Sequence, residues 1–81
     1  MSADRRLLEA VYEALNLPYP ATIGDRDVRD RILVERVMHA RVALSAVVAR
    51  GDNPEWSADW LRDRIAEHPA TGYRVFGEAP R

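Results

Sequence analysis

Glu35 and His39 stand four residues apart in a run free of glycine and proline, so on a helix they share one face. A carboxylate and an imidazole placed this way could exchange a proton or begin a zinc site, which takes three or four protein ligands. The nearest polar neighbours along the chain, Asp30 and Arg36, do not complete such a set. The expected role of the pair is a surface or interface hydrogen bond, with no metal. Asp59, Asp63 and Glu67 also recur every four residues. Such a line could face a cation or a basic partner, but Arg62 and Arg64 are interleaved with it, and a solvated, charge-paired face accounts for it. Ser45, Ser57, Thr22 and Thr71 have no His–Asp neighbourhood in sequence, so nothing supports a nucleophilic hydroxyl. The glycines are isolated and build no phosphate loop. No catalytic or cofactor-binding residue is assigned, and the chain reads as a non-enzyme that needs no cofactor.

The remaining chemistry belongs to aromatic and arginine side chains. Trp56 and Trp60 share a face if their helix starts at Pro54. The simpler expectation is that both fill gaps beside small residues such as Ala43 and Ala46. With Tyr73 and Phe76 they are also secondary candidates for an interface, because aromatic residues are enriched at binding hot spots. All 12 basic residues are arginine, set against 13 acidic ones, for a formal charge of −1. Every cation is therefore a planar fork suited to carboxylates and phosphates, and no lysine amine is present for Schiff-base chemistry. Arg29, Arg31 and Arg36, with Arg62, Arg64 and Arg74, make a small nucleic-acid-binding regulator the alternative reading. Interleaved aspartates, the missing basic excess and a long helix unlike a short recognition pair weigh against nucleic acid as a partner.

These residues must be positioned by a small body. At 81 residues, 47% hydrophobic and 31% charged, the chain predicts one globular domain near the size where a single core yields only a few kcal/mol. With no cysteine, neither a disulfide nor a thiolate metal site can supplement that core. Well-packed helices or a partner subunit must. No stretch approaches about 18 consecutive apolar residues, so no spanning helix and no membrane association is expected. The charged start, Ser2-Ala3-Asp4-Arg5-Arg6, lacks the apolar stretch of a signal peptide, and the expected location is cytoplasmic.

The pattern predicts an all-α fold, a small three-helix bundle around one long central helix with a short extended C-terminal tail, as a single domain over 1–81. A first helix is expected over Ala3–Leu15, with Ser2 as N-cap and a stripe of Leu7, Leu8, Val11, Ala14 and Leu15. Pro18 and Pro20 end it in a stiff connection. A long helix follows from Thr22 or Asp25, where Thr22-Ile23-Gly24-Asp25 matches a capping box, to Arg50 and the terminator Gly51. A third helix over 54–68 starts at Pro54 with Asn53 as cap, or after Ser57, with Leu61 and Ile65 inward. Residues 70–81 hold one β-like run, Tyr73-Arg74-Val75-Phe76, and an end expected to fray after Gly77 and Pro80.

Along the long helix, Leu33, Val37, Ala40, Leu44 and Val47 step by four, three, four, three, the seam expected to face the core. A second row, Val34, Met38, Val42 and Ala49, bordered by Arg41 and Ser45, makes the apolar arc wider than one neighbour covers. Methionine adapts to irregular contacts and arginine is enriched at interfaces, so this row is the expected protein interface. The chain is accordingly expected to pair with itself as a homodimer, or with another protein, as an adaptor, inhibitor or small regulator. A third strip, Val28, Ile32, Ala43 and Ala46 mixed with Glu35, Arg36 and His39, is part polar.

Three phrases carry a resemblance: Leu17-Pro18-Tyr19-Pro20-Ala21-Thr22, the segment Val34-Glu35-Arg36-Val37-Met38-His39-Ala40-Arg41, and Ala66-Glu67-His68-Pro69-Ala70-Thr71-Gly72-Tyr73-Arg74. Together they resemble a group of small helical proteins of unknown function from actinobacteria and their phages and plasmids. The all-arginine, alanine-rich composition fits a high-GC genome. The resemblance implies a cytoplasmic, mobile-element setting and transfers no active residue.

Overall fold

The computed structural model describes residues 2–77. Three helices carry the fold: α1 (Ala3–Leu15), α2 (Ile23–Val48) and α3 (Pro54–Glu67). Each start is capped as its residue type dictates. The Ser2 hydroxyl accepts the Arg5 N–H, the Thr22 hydroxyl accepts the Asp25 N–H, and the Asn53 side chain accepts the Glu55 N–H with Pro54 in the first turn. Asn53 is thus the cap that starts α3. α2 runs 26 residues without a break, about 39 Å, and stops two residues short of Arg50. Beyond it Gly51 adopts φ 72°, and the N–H groups of Gly51 and Asp52 return to the carbonyls of Val47 and Ala46.

The core is built largely from alanine. Leu7, Ala10 and Ala14 of α1, Ala40 and Ala43 of α2, and Ala58 and Leu61 of α3 form one buried cluster, with Val11, Leu44, Val47, Trp60 and Ile65 packed around it. Small side chains let the three axes approach closely but bury little apolar surface each. Leu61 is the one large side chain among the described residues that is fully enclosed.

Two expectations about the core face of α2 are corrected. Its buried residues are Arg36, Ala40, Ala43 and Ala46, so the inward face is rotated toward the strip expected to be part polar. Val37, placed in the core seam from sequence, is 48% exposed. The reason is Arg36. Its guanidinium donates from Nε and Nη2 to the His68 carbonyl at 3.1 and 2.9 Å, and from Nη1 to the Ala14 carbonyl at 3.2 Å. Those carbonyls lie at the C-terminal ends of α3 and α1, where helices present unpaired acceptors and partial negative charge. One buried cation thus serves two helix ends. Burial lowers the affinity of this guanidinium for its proton, opposed by the nearby Glu13 and Tyr73.

The N-terminal part of α2 is covered by loops. Arg29 donates to the carbonyls of Pro18 and Leu17, and its guanidinium lies 5.6 Å from the Tyr19 ring centre. The segment after α3 is extended and pinned. Pro20 and Val75 form an antiparallel bridge, the Tyr73 hydroxyl donates to Pro18, and the Arg74 N–H donates to the Asp25 carboxylate. The extended run at 73–76 is therefore a clasp on the Tyr19–Ala21 loop up to Phe76. Of the expected frayed end, Pro80 lies outside the described residues.

Candidate functional site

The two short helices pack on one side of the C-terminal half of α2, which leaves its other side bare. There a groove of about 500 Å³ is lined by Val34, Met38, Arg41, Val42, Ser45 and Ala49, with Val37, Ala46 and Arg50 at its margins. Those first six residues are the row singled out in sequence as an interface, and the structure brings them together on one surface. Val34 is 67% exposed and Val48, one turn beyond Ser45, 83%. Arg41 makes no ion pair among the described residues and borders the groove.

Two further depressions flank this groove. One, of about 470 Å³, runs between α1 and α2 past Val11, Leu15, Leu44 and Val48, and shares Val37, Arg41, Ser45 and Ala49 with the first. The other, of about 260 Å³, lies between α2 and α3 and shares Val42, Ala46 and Arg50. Trp56 and Trp60 both line it. Trp56 is 76% exposed, so it is no gap filler, whereas Trp60 is packed against the core. Tyr73 and Phe76 lie elsewhere: Tyr73 is tied to Pro18, and Phe76 is exposed beside the Tyr19–Ala21 loop. Sequence missed Val37, Val48 and Leu15 as members of the bare surface. The spacing of Val37 and Leu15 read as core, Val48 fell in no row, and only the real direction of the core face shows otherwise.

The arginines that suggested nucleic acid are mostly engaged within the chain. Arg36 is buried; Arg29 holds loop carbonyls; Arg62 pairs with Glu13, Arg64 with Glu67 and Arg74 with Asp25. The carboxylate line on α3 is split among partners. Asp59 and Glu55 together hold Arg6 of α1, each at 3.1 Å, and Glu67 pairs with Arg64. These contacts sit in solvent and contribute little each.

Glu35 and His39 share a face as their spacing requires, but no hydrogen bond joins them. Instead His68, at the end of α3, lies beside them. One ligand-type atom from each of the three falls within 4.8 Å of the others. His39 Nδ1 is shielded from solvent and has no hydrogen-bond partner among the described residues. Nothing in the sequence spacing joins His68 to the pair; the antiparallel return of α3 does. Among the described residues, no helix is long and apolar enough to cross a membrane. No family model, curated protein or solved structure matches this chain.

Proposed function

We propose that this chain is a non-enzymatic protein-interaction module, an adaptor, inhibitor or small regulator, that pairs with a second copy of itself through the outer face of α2. The observation that carries the reading is the continuous apolar surface over Val34, Val37, Met38, Val42 and Val48 on a chain whose own core is small and alanine-rich. Surface of this kind is costly to leave in water and marks interaction sites. Ser45 and Ala49 are small, which lets a second helix approach the middle of the groove, and Arg41 borders it. A twofold crossing of α2 on its copy buries the same residues from both sides. A cytoplasmic, phage- or plasmid-linked setting accords with the sequence resemblance.

The deciding experiment is light scattering after size exclusion. Wild type is expected to run as a dimer, and Met38→Glu/Val42→Glu as a folded monomer with an unchanged far-ultraviolet spectrum. Both residues are nearly half exposed in the single chain, so the charges need not disturb its core. A wild-type chain that stays monomeric at high micromolar concentration overturns self-association. For the nucleic-acid alternative, the expected result is no sequence-selective, salt-sensitive gel shift with duplex DNA at physiological ionic strength.

A further inference from the structure

We propose that Glu35, His39 and His68 form a Zn²⁺ site that ties the middle of α2 to the C-terminal end of α3. Two imidazoles and one carboxylate are the donor set of an open zinc site, with the fourth position left to water or another ligand. Two nitrogen donors favour zinc over the harder Mg²⁺ and Ca²⁺. The candidate donor atoms lie within 4.8 Å of one another. Tetrahedral bonds near 2.0–2.1 Å require them to be about 3.3 Å apart, so binding must draw the three side chains together.

The frame around the three residues is rigid. Glu35 and His39 sit one turn apart inside an unbroken helix. His68 is the C-cap of α3, and its carbonyl is gripped by two nitrogens of Arg36, the residue next to Glu35. The His39 ring meets Trp60 edge-on, with centres 5.7 Å apart, and lies 5.5 Å from the His68 ring at a tilt of 31°. His39 Nδ1 is a shielded nitrogen without a partner, and such groups in native proteins call for an explanation, which a bound ion supplies. Glu35 and His68 also line an open cleft of about 400 Å³, beside Arg31, Glu67 and Thr71, which gives an ion a route in and leaves room for a fourth ligand. Glu67 is already paired with Arg64. The ion adds a cross-link between two elements that otherwise meet through the common core, the His39–Trp60 contact and the Arg36 grip.

The test is isothermal titration of chelator-treated protein with ZnCl₂. One Zn²⁺ per chain is expected, with a raised melting temperature in its presence. His39→Gln, His68→Gln and Glu35→Gln are each expected to weaken binding at least tenfold. His68→Gln keeps the main-chain carbonyl that Arg36 holds, so it remains informative if a substitution at His39 unfolds the chain. In Trp56→Phe protein the remaining indole is Trp60, beside His39. Co²⁺ should quench its emission and give the visible bands of a four-coordinate ion, and Zn²⁺ should reverse both. Absence of saturable binding, unchanged affinity in His68→Gln, or one ion per two chains would each overturn a site built within one chain.

Discussion

At the scale of single residues, Arg36 is the most consequential side chain in the molecule. Replacing it with Met leaves the buried Ala14 carbonyl and the part-buried His68 carbonyl without their donors. Unsatisfied buried acceptors cost about 1–3 kcal/mol each, so Arg36→Met is expected to lose about 2–4 kcal/mol by urea denaturation. Arg36→Lys keeps the charge but not the fork and should recover only part of the loss. Asp25 supports a pH prediction. The Arg74 N–H, then the Thr22 hydroxyl, then the Arg74 charge hold its carboxyl below the ordinary aspartate value of 3.8. A carboxylate whose proton affinity is lower in the folded chain stabilises the fold above that ordinary value. The contribution disappears as pH falls through the lower folded-state value. Wild type and Asp25→Asn should therefore differ in stability at neutral pH and converge in acid, with loss of protection at the Arg74 amide under the same acidic conditions in wild type. Residue-level features were legible where partner and residue are neighbours: Ser2, Thr22 and Asn53 cap their helices as the sequence implies. Arg36 and His68 were not. Their partners are a main-chain carbonyl or a side chain far along the chain, and residue type alone assigns a charged arginine to solvent.

At the scale of elements, the question is which side of α2 faces inward. Its apolar residues are spread almost evenly around the helix, so periodicity gives no single direction. Sequence reading favoured the row with the largest side chains, Leu33 to Val47. The bundle keeps Ala40, Leu44 and Val47 of that row against the core but turns Val37 outward and buries Ala43 and Ala46 instead, small residues that allow α1 and α3 to come close. The helix count, the approximate boundaries and the exposed row from Val34 to Ala49 were readable; the rotation of α2 was not, since it depends on which residues of three helices fit together. A pair of substitutions checks this. Val37→Glu places a charge on a half-exposed site and is expected to change the stability of the single chain by less than about 1 kcal/mol. Ala40→Glu forces a carboxylate into the closed core and should cost several times as much, enough to abolish the cooperative melt.

At the scale of the whole molecule, the chain is elongated, 45 × 23 × 17 Å, and its described apolar side chains lie as much on the surface as inside. Leu61 is expected to carry an outsized share of stability: Leu61→Ala should cost about 2–5 kcal/mol, near the whole margin of so small a domain. If pairing through α2 supplies the missing burial, the melting temperature must rise with protein concentration. A calorimetric series across two decades of concentration measures this directly, and a flat series would mean that the single chain is self-sufficient.

The grip of Arg36 also has a kinetic meaning. Its two acceptors belong to segments on either side of α2 in the chain, so the contact closes two loops with one side chain and cannot form until both short helices have arrived. If the contact completes after the folding transition state, it acts on the rate of escape from the native basin. In a stopped-flow chevron, Arg36→Met should leave the refolding arm near wild type and lift the unfolding arm by most of the lost stability. The arginine then acts as a latch, setting how long the folded chain persists rather than how quickly it is reached.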